Sequence, residues 1–209
     1  MKNFISNLFD RRVRSYDAWY DENKPAYFSE LDALRKALPK KGKGLEIGVG
    51  TARFAGPLGI RFGIDSSKKM VEIAKGRGVR AKLGSGENLP FNDGSFDYIA
   101  VMNTLCFVKD PVKVLKETRR VLKKNGNLII GMIDKDSFLG KFYRKKKSVF
   151  YRQASFFGVK EVISFLKKVG FSKFSCYQTL YDFPNRIRLP QKSHEGFGKG
   201  GFVVINAQQ

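Results

Sequence analysis

Cysteine, histidine and tryptophan are nearly absent from the 209 residues, at two, one and one, and acidic side chains are scarce, with 19 Asp+Glu against 40 Lys+Arg. Each shortage excludes something. Cys106 and Cys176 stand far apart without metal-ligand spacing, so no metal site is expected and both read as reduced thiols of a cytoplasmic protein. His194 is the sole imidazole able to act as a base near neutral pH. No run of about 18 apolar residues occurs, which excludes a membrane-spanning helix. The opening stretch MKNFISNLFDRRVRSYDAWY carries charges through its middle and lacks the apolar core of a secretory signal. The shortage of acid leaves a formal charge of +21, a field that favours anionic partners, nucleic acid among them. The basic residues are scattered in short clusters such as Arg144 to Lys147, so a solvated surface accounts for most of them. Nothing in the sequence sets an oligomeric state.

Hydrophobic residues make up 42%, enough for a globular chain with a substantial core. Through residue 40 the apolar spacing is helical: Phe4, Ile5, Leu8 and Phe9 begin one stripe, and Phe28, Leu31, Leu34 and Leu38 form another before Pro39. From residue 44 strands and helices alternate. Strands are expected at 44–48, 60–65, 79–83, 96–102 and 127–133. Helices are expected after the first strand, after Ser66 or Ser67, and from Asp110-Pro111 to Lys124. An aromatic and basic insertion at 134–157 breaks the rhythm. A helix at 158–169 follows, then strands near 173–181 and 201–206 with no crossover helix between them, which should pair antiparallel. The expected architecture is α/β: a Rossmann-like, doubly wound, seven-stranded sheet, mostly parallel with the last strand antiparallel. Residues 1–209 make one domain, with a helical cap at 1–40 and the insertion after strand five.

The stretch Leu45-Glu46-Ile47-Gly48-Val49-Gly50-Thr51-Ala52 runs from a strand into a glycine loop. Glycines let the backbone approach a ligand, and amides at a strand-to-helix turn suit anionic or polar groups. In an open parallel sheet that turn lies where ligands bind, outside the strands' carboxyl ends. Asp65 ends strand two, where a carboxylate accepts both hydroxyls of a ribose. Gly84-Ser85-Gly86-Glu87-Asn88 follows strand three, where a backbone amide and a side chain could read an adenine edge.

In order, L-E-I-G-V-G-T-A, G-I-D-S-S-x-x-M, G-E-N-L-P-F-x-D-G-S-F-D and R-V-L-K-K-N-G-N-L resemble the class I S-adenosylmethionine-dependent methyltransferases, most closely the small ones related to ubiquinone and menaquinone biosynthesis. The resemblance covers roughly residues 40–135. More loosely, Y-D-A-W-Y, D-S-F-L-G and the terminal G-F-G-K-G-G-F-V-V resemble a prokaryotic subgroup, some of whose members carry an N-methyltransferase label. The resemblance implies S-adenosylmethionine as cofactor and S-adenosylhomocysteine as product. It places Gly48, Val49 and Gly50 under the methionine and ribose, Glu46 behind the loop or at the methionine ammonium, and Asp65 on the ribose hydroxyls. Ser66 and Met70 fall beside the adenine, Gly86, Glu87 and Asn88 at its edge, and Asn103 near the methionine. Ala52 replaces the usual third glycine, which is harmless if that position is already helical with negative φ.

Because the sulfonium methyl is already activated, a base is needed only for a protonated acceptor. His194, Asp134 and Tyr16 are the candidates for catalytic roles. Cys106 lacks the proline-cysteine context of a pyrimidine-methylating nucleophile and reads as a buried thiol. Tyr16, Trp19, Tyr20, Tyr27, Phe138 and Tyr143, from the two segments that interrupt the α/β rhythm, are expected to build the acceptor pocket, with Asp17 and Asp134 as its polar groups if the acceptor is an amine. The expected reaction is methyl transfer to an N, O or S atom of a small molecule. The alternative is a tRNA or rRNA methyltransferase that uses the basic surface. A dinucleotide oxidoreductase is disfavoured by Glu46 before the loop and by the lack of room for a second nucleotide-binding half.

Overall fold

A computed structural model describes residues 4–209. Two helices open the chain, α1 (Phe4–Glu22) and α2 (Lys24–Ala37). Helix α1 bends at Arg12, whose φ of −115° and ψ of 16° leave the helical region. Then come β1 (Gly44–Ile47), β2 (Phe62–Asp65), α3 (Lys68–Gly76), β3 (Arg80–Leu83), β4 (Phe96–Met102), α4 (Pro111–Val121) and β5 (Leu122–Ile133). The remainder is α5 (Phe138–Lys145), α6 (Val159–Lys168), β6 (Ser172–Thr179), β7 (His194–Glu195) and β8 (Phe202–Gln208). Side-chain caps begin three helices: Ser67 accepts from Met70 N, Asp110 from Lys113 N and Ser137 from Gly140 N.

The strands form one sheet in the order β3-β2-β1-β4-β5-β8-β6-β7. Strands β1 to β5 pair in parallel, and β8 runs antiparallel between β5 and β6. The expected Rossmann-like architecture is therefore present, with β8 as the antiparallel strand. The sheet has one strand more than the sequence suggests, because His194 and Glu195 pair with Gln178 and Tyr177 at the edge. Alternation along the strands feeds two cores. Tyr98, Ala100 and Ile129 pack with α2 on one face, and Ile99, Val101 and Ile130 pack with α4 and α6 on the other.

Two expected boundaries are corrected. No regular helix follows the glycine loop: residues 51–59 form successive turns, held by Gly56 N to Ala52 O and Leu58 N to Phe54 O at 3.1 Å each. Gly56-Pro57 explains this, since the residue before a proline is pushed out of the α region and proline supplies no N–H. Helix α4 also stops three residues before Lys124, because Leu122 already pairs with Phe96, and Asn125 turns with a φ of +63°. Among the described residues no helix is long and apolar enough to cross a membrane.

Candidate functional site

A cavity of about 600 Å³ opens at the carboxyl ends of β1 to β4. Its floor is made by the loops after those strands and its cover by α1, with α2, α5 and residues 146–157 closing the far side. Gly48 and Gly50 line it with φ of +71° and +52°, the left-handed region that favours glycine. A Cβ on Gly48 would run into the Thr104 side chain, and one on Gly50 would come within 3.1 Å of the Tyr16 hydroxyl. Asp65 anchors the loop: its Oδ2 accepts from Gly50 N and its Oδ1 from Ser67 N, both at 2.9 Å. Burial pushes its carboxyl up even so. Glu87 shows the opposite balance. Burial raises it, but the Ser85 hydroxyl and the amides of Asp110 and Lys109 hold its carboxyl low.

Gly48, Gly50, Asp65, Ser66, Met70, Gly86, Glu87 and Asn103 thus meet on one wall, as the motifs suggest, and Tyr16, Trp19, Tyr20 and Tyr143 meet on the other. The rest of the expected set does not line the cavity, which for Glu46 is the place behind the loop that the resemblance allows. Val49 is buried over Gly63, and Asn88 closes a turn by donating its amide to Ser85 O at 3.2 Å. Glu46 lies behind the loop, 1% exposed, with Oε2 unpartnered among the described residues and its carboxyl pushed up by burial. The Tyr27 hydroxyl donates to the Arg53 carbonyl inside the core, and Phe138 packs edge-on against Phe183 at 5.3 Å. Asp17 is no pocket group either. Burial alone would raise it, but Arg77, Arg53 and Thr51 bind its carboxylate and hold it well below the usual range.

The catalytic candidates fare similarly. Asp134 is buried away from the cavity, with Oδ1 accepting from Asp136 N at 3.2 Å. His194 is exposed on the edge strand, its ring 5.8 Å from that of Tyr181. Tyr16 does face the cavity and shares a 3.0 Å hydrogen bond with the Tyr20 hydroxyl, but burial pushes both phenols up, so neither is a ready base. Cys106 lines the cavity, its thiol pushed up to about 12 by burial, which leaves no thiolate near neutral pH. The backbone of Ala52 also departs from expectation: its φ is +63°, so the position is left-handed, not helical.

Among the cavity residues that the motifs do not point to, one is an acid. Glu30, on α2, is 2% exposed, faces the cavity, and its Oε2 has no hydrogen-bond partner among the described residues. Its signal was its place on the stripe Ala26, Glu30, Ala33, Ala37, an acid at helical spacing within the buried face.

The floor fits a nucleoside-linked amino acid: left-handed glycines that bring bare backbone to the cavity, a half-buried carboxylate at a strand end, and a second carboxylate one loop away. Residues 45–130 match the family model described as a methyltransferase domain. An uncharacterised protein of Methanocaldococcus jannaschii is 46% identical over 97% of this chain and 99% of its own length. A demethylmenaquinone methyltransferase of Geobacillus kaustophilus is 30% identical, over 85% of this chain and 78% of its own. The fold matches, at a TM-score of 0.94, a crystal structure of an S-adenosylmethionine-dependent methyltransferase from Thermotoga maritima described as a possible histamine N-methyltransferase; the two are 46% identical, over 97% of this chain and 98% of that one. The chain belongs to the class I S-adenosylmethionine-dependent methyltransferases, and S-adenosylmethionine is its cofactor.

Proposed function

We propose that the protein transfers a methyl group to an N, O or S atom of a small molecule held in the far half of this cavity. The observation that carries the reading is continuity: the glycine-loop wall and the aromatic wall belong to one cavity. In this reading Gly48 and Gly50 admit the methionine and ribose, Asp65 takes the ribose hydroxyls, and Ser66 and Met70 flank the adenine. Gly86 and Glu87 lie at the adenine edge and Asn103 at the methionine end. Bound S-adenosylmethionine supplies an electrophilic methyl that needs no further activation. What the chain adds is placement, worth on the order of 7–11 kcal/mol when two reactants are held in line, and exclusion of water by α1 and the aromatic rings. Tyr16 and Trp19 hold the acceptor against the donor end. Transfer to tRNA or rRNA is supported only by the net charge of +21, and the described lining of the cavity offers a polyanion a single cation, Lys146.

Calorimetry with S-adenosylhomocysteine, followed by labelled-methyl transfer into metabolite and RNA pools, tests the reading. Binding is expected, with label in the metabolite pool. Trp19→Ala and Tyr16→Phe should raise the acceptor KM while leaving S-adenosylhomocysteine affinity within about threefold, a change under 1 kcal/mol. Label confined to RNA would overturn it.

A further inference from the structure

The charge of the cavity opposes the charge of the chain. In a protein of +21, the charged groups lining the cavity among the described residues are three carboxylates, Glu30, Asp65 and Glu87, and one lysine, Lys146. Asp65 and Glu87 spend their oxygens on backbone amides and the Ser85 hydroxyl. The Lys146 ammonium lies over the Phe142 ring, 5.9 Å from its centre. Glu30 alone among the three has a fully buried oxygen with no hydrogen-bond partner among the described residues. Its surroundings are aromatic. Tyr20, Tyr143 and Tyr151 line the same cavity. The rings of Tyr143 and Tyr151 stack at 4.3 Å, and Trp19 packs edge-on against Tyr20 at 5.2 Å. On the donor side, Tyr20 shares a hydrogen bond with the Tyr16 hydroxyl, which sits above Gly50.

A lone carboxylate among aromatic rings, in a site with little positive charge, is the chemistry that receives a small organic cation. Resting on the reading above, we propose that the acceptor is a small cationic amine and that Glu30 binds its ammonium and takes the proton the nitrogen must lose before it can attack. The balance is complete. An N–H proton passes to a Glu30 oxygen, and the freed nitrogen pair forms the N–CH3 bond. The S–CH3 bond of the donor breaks with its electrons staying on sulfur, and the proton stays on Glu30 until the next ammonium displaces it to solvent. Burial pushes the Glu30 carboxyl up to about 8, so the empty site carries a proton near neutral pH and an arriving ammonium displaces it.

The test uses the whole chain, saturated with S-adenosylhomocysteine for binding and with S-adenosylmethionine for turnover. The probes are butylamine, benzylamine, 2-phenylethylamine and tryptamine, each against its matched alcohol. Calorimetry in two buffers of different ionisation enthalpy should show a proton released per amine bound by the native chain and none by Glu30→Gln. Amine kcat/KM should fall by about 100-fold or more in that variant, the usual contribution of a positioned base, with S-adenosylhomocysteine affinity unchanged as the proof that it is folded. Amines that bind and turn over equally well in Glu30→Gln would overturn the proposal. So would a panel in which no amine binds, or in which only neutral acceptors are methylated, and these leave the methyltransferase reading standing. Failure to bind S-adenosylhomocysteine at all would remove that reading as well.

Discussion

Gly48 and Ala52 share a left-handed backbone, with φ of +71° and +63°, but the surroundings of their β-carbons differ. At Gly48 the space for a methyl is filled by Thr104, whose hydroxyl donates to Met102 O at 2.8 Å and cannot easily give way. Gly48→Ala should cost about 1–3 kcal/mol through backbone strain and displacement of that contact, and S-adenosylhomocysteine affinity should fall at least about tenfold by calorimetry, 1.4 kcal/mol being one factor of ten. At Ala52 the methyl is already present and buried. Ala52→Gly relieves about 1–2 kcal/mol of left-handed strain, but it loses about 0.8 kcal/mol of burial and about 0.4–1 kcal/mol through a freer unfolded chain. Denaturant unfolding and ligand affinity should therefore barely move. Glu30 yields a sharper expectation. Its folded-state value of about 8 lies above the ordinary 4.5, so the folded chain keeps a proton that the unfolded chain gives up between those values. Stability is full below about pH 4.5, falls as pH rises through that window, and levels off above about 8. Glu30→Gln should abolish the fall. By urea unfolding it should gain a few kcal/mol over the native chain above about pH 8 and nothing below about pH 4.5; parallel curves for the two proteins would show that Glu30 is already partnered. The glycine and aspartate positions were legible because each motif names a backbone need. Glu30 was not, because a single acid on a helix looks like a solvated one until its face is known to be buried.

Helix α1 is held over the cavity by ion pairs rather than by apolar contact alone. Asp17 meets Arg53 at 2.6 Å and Arg77 at 2.7 Å, and Thr51 donates to it at 2.6 Å, so the helix is latched to the segment that follows the glycines. Nearer the start of the chain, Asp10 accepts from the Ser67 hydroxyl at 2.6 Å and from Lys69 N at 3.1 Å, tying the part of α1 before its bend to the start of α3. Because the Arg contacts outweigh burial and depress the Asp17 carboxyl, its contribution is present above the ordinary value of 3.8 and is lost as pH falls below it toward the lowered one. Asp17→Asn should therefore lower stability by about 1–3 kcal/mol at neutral pH, the range for leaving charged partners unsatisfied, and flatten the acid limb of the stability curve. An unchanged acid limb would place the latch elsewhere. Apolar spacing showed that both opening helices exist, since periodicity is local. It could not show that Asp17 points at Arg53 and Arg77, which are distant in sequence and are brought beneath it by the turns at 51–59 and the end of α3. The same turns replaced an expected helix, and Gly56-Pro57 was the legible signal for them.

Over the molecule as a whole, charge is sorted. The basic excess lies outside, on solvated faces such as Lys40, Lys41 and Arg144, while the cavity is acid-biased. Strand order follows from alternation and the parallel rule, so it was readable once the rhythm was seen; the sorting was not, because net charge is a sum over the chain and carries no position. Sorted charge separates two behaviours that a charge count confounds. The outer surface should hold polyanions loosely, with a log affinity that drops against log salt by about 0.7–0.9 for each phosphate contacted. The cavity should be indifferent to them, since its entrance is roofed by α1 and its lining attracts cations. Bulk tRNA titrated at low salt should therefore bind, be released as salt rises, and leave both S-adenosylhomocysteine affinity and amine methylation unchanged at every point. Competition between tRNA and the amine, or label accumulating in tRNA as salt is lowered, would mean that the basic surface feeds the cavity and that the acceptor reaches it as part of a polymer.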